Sequence, residues 1–242
     1  MKTDLTILKK TLIDYTKAQL LRNKRDGVVI HFDGTLMSLV NVALLDNLKP
    51  FATKVVVYVV NQNKFYLSQL ALMLNNLNIS YEVKDLTHDF ETISQYANNK
   101  QGDVKLEIAL RKRLVDMALN IEVDKHNLLV VGNLCKSQWV IDFPHRNYKN
   151  LEHLFLLGSL WYDQVQDLAQ RLNLPEQIVN REPSHYLYGN QNDLVALGFS
   201  YDDLKDFYSR KQDGIKKFSD KVIADRLLNE NYINYMVPYF NH

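Results

Sequence analysis

Apolar positions along this chain repeat with two different periods. Leu5, Leu8, Leu12, Ile13, Leu20 and Leu21 fall on one side of a helix. The continuous apolar run Gly27-Val28-Val29-Ile30 then reads as a buried strand, over 28–32. The two types alternate from there. Residues 38–48 form a helical pattern with Leu39, Val42, Ala43 and Leu45 on one side, and Lys54–Val60 is a strand. A helix over 64–77 and a strand near Ser80–Val83 follow. Residues 87–100 are polar with scattered apolar sites, a helix plus loop. Residues 105–121 are a helix, and Leu128-Leu129-Val130-Val131-Gly132 is a further strand. Trp161, Val165, Leu168 and Leu172 repeat at helical spacing until Pro175 stops the run. The tail beyond Lys205 is helical and ends in an aromatic stretch to Pro238 and Phe240. Strands alternating with helices predict an α/β fold, a Rossmann-like parallel sheet covered by helices on both faces. No repeat or linker interrupts the pattern, so one domain over 1–242 is expected.

Composition narrows the picture. The chain has 242 residues, enough for one large α/β core. Lys+Arg is 29 and Asp+Glu is 28, a formal charge of +1, which argues against nucleic acid or a membrane surface as the main partner. One cysteine, Cys135, excludes an internal disulfide and fits a reducing compartment. Met1-Lys2-Thr3-Asp4 leads into an amphipathic helix, and no apolar stretch approaches the roughly 18 residues of a membrane span, so a cytoplasmic protein is expected. Eight glycines are few for an α/β nucleotide enzyme, whose phosphate loops consume them.

The chemistry is concentrated where the first strand turns into the second helix. A strand, a tight turn and a helix N-terminus are where α/β folds hold a phosphate. Here the turn is Phe32-Asp33-Gly34-Thr35-Leu36-Met37. It holds one glycine, one carboxylate and three bulky apolar residues, so backbone amides have little room to wrap an anion.

A longer text carries a resemblance. Gln164-Val165-Gln166-Asp167-Leu168-Ala169-Gln170-Arg171-Leu172 is followed by Leu174-Pro175-Glu176, Ile178 and Arg181-Glu182-Pro183-Ser184. Then come Asn190, Gln191, Asp193, Leu197-Gly198-Phe199-Ser200-Tyr201-Asp202 and Asp206. Arg111 and Arg113 resemble an A-R-x-R helix, Gly132–Gln138 a G-T-x-N-K-S-E loop, and Arg226, Asn231 and Pro238 a tail R-L…S-E-H-K-R…P. Order and spacing resemble the ammonia-dependent NAD synthetases, of the adenine-nucleotide α-hydrolase-like group, over nearly the whole chain. The resemblance implies ATP, Mg²⁺ and deamido-NAD as ligands. ATP adenylates the nicotinate carboxyl, and ammonia then displaces AMP. It also implies a homodimer with deamido-NAD at the interface. Its candidate nucleotide-binding residues here are Gly34, Arg111, Gly132, Lys136, Arg146 and Ser184.

The departures from that pattern gather at the chemistry. The family's pyrophosphate loop is S-G-G-x-D-S; Phe32, Asp33, Leu36 and Met37 stand where both serines, one glycine and the aspartate belong. Asp33 adds negative charge where ATP brings more. Gln138 replaces a Mg²⁺-binding Glu, and a neutral amide is a weak ligand for a hard dication. Tyr162 replaces a lysine facing the phosphates, and Asn234 a tail lysine. Arg146 alone keeps the charge of its counterpart in His145–His153. Together these losses remove most of the transition-state charge stabilisation.

The leading expectation is therefore a catalytically impaired homologue that keeps a nucleotide, a dinucleotide or a protein partner, such as an active paralogue. The alternative is a divergent but active synthetase. It needs replacement cations near Gly34 and Gln138, and Arg111, Lys136 and Arg146 are the ones the sequence offers. A remote alternative comes from His31-Phe32-Asp33-Gly34-Thr35-Leu36, which echoes the D-x-D-G-T-L loop of haloacid-dehalogenase-type phosphatases. His31 stands at that loop's nucleophile and cannot form an aspartyl-phosphate.

Each candidate has a structural reading beside it. Arg111 and Arg113 diverge on a helix, so one faces a site and the other solvent. Lys136 and Ser137 open a helix after a strand and serve equally as caps. Cys135, His145, His153 and His185 lack the compact spacing of a zinc site. Tyr148, Trp161, Tyr162, Tyr186 and Tyr188 stack on a ligand ring, or fill core or a dimer interface. Asp202, Asp203 and Asp206 suit a solvated helix start.

Overall fold

The computed structural model describes residues 5–61, 64–97, 103–141, 152–184, 192–210 and 217–228. In chain order the elements are α1 (Leu5–Arg22), β1 (Gly27–His31), α2 (Leu36–Leu45), β2 (Ala52–Val59), α3 (Lys64–Asn76), β3 (Glu82–Asp85), α4 (Thr87–Tyr96), α5 (Val104–His126) and β4 (Leu128–Val131). Among the described residues six more helices follow: α6 (Lys136–Trp139), α7 (Tyr162–Arg171), α8 (Glu176–Val179), α9 (Asp193–Leu197), α10 (Tyr201–Ser209) and α11 (Phe218–Leu228).

The four strands are parallel, in the order β3-β2-β1-β4. Their apolar runs are nearly continuous because both faces are buried. Alternate residues supply the two faces. Val28, Ile30, Val55, Val57, Leu129 and Val131 join side chains of α1, α2, α3 and α7 in one core. Val29, Val56, Tyr58, Leu128 and Val130 pack under α5 through Ala118, Leu119 and Val123. The expected parallel sheet with helices on both faces is what the chain forms. Past β4, Leu154 makes a parallel bridge to Val131, and Gly132 N–H donates to Leu154 O at 2.8 Å.

Several boundaries differ from the sequence pattern, β2 starting at Ala52 rather than Lys54 among them, and three of the differences have a clear local reason. Helix α2 begins at Leu36, not at 38, because Thr35 caps it: the Thr35 hydroxyl accepts from Ser38 N at 3.2 Å. Strand β3 lies two residues beyond the expected 80–83, where Glu82–Asp85 pair with Val56–Val59. It is an edge strand whose polar sequence carries no period-2 signal. Helix α5 runs on to His126 and ends at Asn127, in the left-handed region at φ 52°. Asn127 is fixed there by donating to Lys24 O and Asp26 Oδ2, both at 3.0 Å, and by accepting from Arg25 Nη1 at 3.1 Å.

A charged network ties α5 to the sheet edge. Lys54 Nζ lies 2.7 Å from Glu122 and 3.2 Å from Glu82, and Lys84 also contacts both carboxylates. Among the described residues, no helix is long and apolar enough to cross a membrane.

Candidate functional site

The strand order reverses between β1 and β4, and parallel sheets bind ligands beyond the carboxyl ends of the strands at such a point. In this chain the crevice is stitched by asparagines. Asn133 Nδ2 donates to His31 O at 2.7 Å. Asn41 Nδ2, from α2, donates to Gly132 O and to Asn133 Oδ1, both at 3.1 Å. A Cβ on Gly132 would land in the ring of Phe155. Phe155 is buried and lies 5.0 Å from Trp139, centroid to centroid. Gly132 is thus a glycine that Phe155 packs upon, and an aromatic ring occupies the space through which a ligand would approach its backbone. Phe155 and Asn41 do not stand out in the sequence, since their partners are remote and no local motif marks them; Asn133 lies within the Gly132–Gln138 loop, but its bonds to His31 and Asn41 are equally remote.

The turn after β1 leads to a cleft lined by Gly34–Met37, Tyr162, Arg181 and Ser184. Of the residues singled out from the sequence, it gathers Gly34, Leu36, Met37, Tyr162 and Ser184. The cleft holds about 20 Å³, the room of a single water. Phe32, Leu36 and Met37 are buried in the core, so the turn is filled from within. Gly34 sits at φ 75° with Tyr66 and Leu70 of α3 against it, and an added Cβ would lie 2.5 Å from Leu70 Cδ2. Gly34→Ala is expected to lower stability by about 1–2 kcal/mol, from the left-handed backbone and the displaced leucine, measured by denaturant unfolding.

The other candidates are engaged elsewhere. Arg111 binds Glu107 Oε1 through Nε at 3.1 Å and Nη2 at 2.7 Å. Its Nη1 caps the Val60 carbonyl, and the guanidinium stacks 4.9 Å from the Phe90 centroid. These contacts pin α5 to α4 and the end of β2. Lys136 Nζ lies 4.8 Å from the Trp161 ring centroid. Neither cation lines the cleft. Arg146 and Asn234 lie outside the described residues, as do His145, Tyr148, His185, Tyr186, Tyr188, Asn190, Gln191, Asn231 and Pro238. The side chain of Arg226 is likewise not described. Arg181 is the cation that does line the cleft. Its Arg-Glu-Pro-Ser context carries part of the resemblance, and nothing in the local sequence marks its charge.

Gln138 is fully buried, and its Oε1 accepts from Cys135 N at 3.0 Å, capping α6. Its side chain also bonds Tyr201, whose hydroxyl donates to Asp193 Oδ2 at 2.8 Å. Burial, then Asp193, push the Tyr201 hydroxyl well above its ordinary pKa. Tyr162 packs on Tyr201 at 5.2 Å, and its N–H donates to Ser137 Oγ at 3.0 Å. Burial pushes the Cys135 thiol up to about 12, so it is a neutral core group.

Leu36 and Gln138 stand where the resemblance places Mg²⁺ carboxylates, and neither supplies one. The donor set does not fit that ion. No group of three or more His, Cys, Asp or Glu among the described residues could hold a metal. Asp203 closes the capping box with Ser200 at the start of α10, whereas Asp206 lies in the second half of that helix and pairs with Arg210 and Lys217. His31 is turned to the α5 side of the sheet, edge-on to Tyr58 at 5.4 Å. Burial holds its pKa below the ordinary value, against the pull of Asp33. That placement leaves the phosphatase-like reading of the turn without a nucleophile at the cleft.

A family-wide sequence profile described as NAD synthase matches residues 9–239. An NH3-dependent NAD(+) synthetase of Methanococcus aeolicus is 32% identical over 134 residues, 54% of this chain and 52% of the relative. That of Syntrophomonas wolfei is 30% identical over 155 residues, 62% of each chain. The chain thus spans 52% and 62% of the length of these two curated relatives. Among solved structures, an NMN synthetase from Francisella tularensis superposes with a TM-score of 0.83 at 16% identity, covering 100% of both chains. An NH3-dependent NAD synthetase from Campylobacter jejuni does so with a TM-score of 0.72 at 15% identity, covering 99% of this chain and 100% of the other. At such identities the likeness carries the fold.

Proposed function

The chain belongs to the NAD synthase family, and from that premise we propose that it is a member whose ATP-dependent amide-forming chemistry is lost, kept as a binding scaffold. One observation carries the reading. The turn that should cradle pyrophosphate is filled by Phe32, Leu36 and Met37, and neither Arg111 nor Lys136 reaches it. Adenylation develops negative charge at phosphorus, and preorganised donors and cations aimed at that charge are the largest catalytic term. Tyr162 offers a phenol where a lysine is expected, and Gln138 is committed to capping α6. What remains is a cleft the size of one water, its wall largely apolar, where Arg181 stands with Glu182 and Ser184 and is the group that would meet an anion.

The relatives named above make NAD or NMN, so deamido-NAD and the corresponding mononucleotide are the ligands to try. Exposed Met117 and Ile121, one turn apart on α5, support pairing with a second copy or with an active paralogue. The buried Cys135 agrees with a cytoplasmic setting.

The test is NAD formation from deamido-NAD, ATP–Mg²⁺ and ammonia by the purified chain. The expected rate is at least about 1,000-fold below that of the Methanococcus aeolicus relative, since removing even one charge-stabilising donor costs about 100–1,000-fold. Turnover within about tenfold of the relative sinks the reading. Calorimetric titration with each ligand separately reports what is still bound. The competing reading, an active divergent synthetase, rests on Arg181 lining the cleft beside Gly34. It requires Arg181→Ala to abolish a turnover that wild type shows.

A further inference from the structure

Strand β3 ends the sheet, and among the described residues no strand pairs with its outer side. The Leu86 N–H donates inward to Val59 O at 2.7 Å. Strand alternation then turns the N–H and C=O of Val83 and Asp85 outward. Val83 is 57% exposed. Its register partner Val57 belongs to the core that α3 covers with Leu70 and Leu74, so Val83 lies on that face of the sheet. Glu82 and Lys84 lie on the opposite face, where Lys84 contacts Glu122 of α5, and keep 53% and 34% of their side chains in water.

The order Glu82-Val83-Lys84 is its own complement. About a two-fold axis through Val83, normal to the sheet, a second β3 runs antiparallel to the first. Val83 then faces the partner's Val83 as a hydrogen-bonded pair, and their outward amides and carbonyls satisfy each other. Glu82 faces the partner's Lys84, and Lys84 the partner's Glu82. Both pairs fall in the non-hydrogen-bonded positions, where opposed side chains come closest. Moving the axis by one residue sets Glu82 against Glu82 or Lys84 against Lys84. Charge that keeps edges apart must repel in the register that would pair them. Here it attracts. On the Val83 face, α3 also exposes Phe65 and Leu72, two turns apart on one stripe.

We propose that β3 is a docking edge for a second copy of this chain, joined by a two-fold antiparallel seam in which Glu82 meets the partner's Lys84. The inference goes beyond the disabled-site reading and uses a different surface from Met117 and Ile121 of α5. A strand of four residues makes a small seam, which belongs with the weak interfaces below about 1,200 Å².

Sedimentation equilibrium of the purified chain over a range of concentrations reads the association. Wild type is expected to dimerise with a Kd of about 10–100 μM. Glu82→Lys and Lys84→Glu each set like charges across the seam, and each alone is expected to associate at least about tenfold more weakly. Mixed in equal amounts they restore both opposite pairs, and a heterodimer of near wild-type strength is expected. Val83→Lys opposes two lysines at the axis without touching Glu122. It is expected to show the same loss, and it carries the test if a thermal melt finds Lys84→Glu unfolded. The proposal falls if wild type stays monomeric up to about 500 μM. It falls if folded Val83→Lys associates as wild type does, and a dimer that Met117→Asp alone dissolves would place the interface on α5. It falls too if the two folded charge variants associate no better mixed than apart.

Discussion

Phe155→Ala is expected to lower the unfolding free energy by about 3–5 kcal/mol, as for other buried aromatics cut to alanine. For a chain of this length that lowers the melting temperature by about 6–20 °C. Phe155 is 1% exposed, and its ring fills the space over Gly132 as well as the flank of Trp139. The Gly132 side of the contact gives a sharper test. Gly132→Ala alone must push the ring aside and is expected to cost about 1–3 kcal/mol. With Phe155 already cut to alanine, the added methyl falls into vacated space. The two single losses should then exceed the double loss by about 1 kcal/mol or more. Urea unfolding of the four proteins measures the cycle. If Gly132 were a glycine for the sake of a ligand, Gly132→Ala would leave the ligand-free stability unchanged.

Glu122→Gln is expected to destabilise the protein by about 2–3 kcal/mol at pH 7, and to flatten its response to acid. Burial alone would raise the Glu122 carboxyl, but hydrogen bonds from Lys54 and Lys84 hold it below the usual carboxylate range. The loss is smaller than for a fully enclosed pair. The Lys54 and Lys84 side chains keep 18% and 34% of their surface in water, and Glu82 remains as a partner for both. A carboxyl depressed in the folded state contributes stability above its unfolded pKa, about 4.3, and loses it as pH falls toward the folded value. Wild type should therefore lose stability below about pH 5 more steeply than Glu122→Gln does. Equal slopes in urea unfolding at pH 7 and pH 4 would contradict that role for Glu122.

Much of this fold is legible in the sequence because its strands are buried on both sides. Val28-Val29-Ile30 and Leu128-Leu129-Val130-Val131 announce themselves as apolar runs, and the helices between them by their stripes. The edge strand is harder to see, since Glu82–Asp85 draws its hydrogen bonds from β2 and has one face in water. Asn127 ends α5 through contacts with Lys24–Asp26, about a hundred residues back, which no local rule detects. The site divides the same way. Residue types in the turn at Phe32–Met37 reveal what chemistry is missing. They do not reveal that Asp33 and Thr35 satisfy each other, or that Tyr66 reaches across to hold them. Arg111 reads as a phosphate ligand until Glu107 and the Val60 carbonyl are placed beside it. Charge is written in the sequence, whereas the partner that consumes it comes from the fold.

The order β3-β2-β1-β4 also governs how the chain leaves the ribosome. Strand β1 acquires its second neighbour only when β4 emerges, about 100 residues after β1 is complete. At roughly 5–20 residues per second, that interval lasts on the order of 5–20 s. Throughout it, the amides and carbonyls along one side of Gly27–Ile30 have no strand to pair with, in an apolar stretch of the nascent chain. A ribosome stalled before Leu128 would hold out a sticky half-sheet.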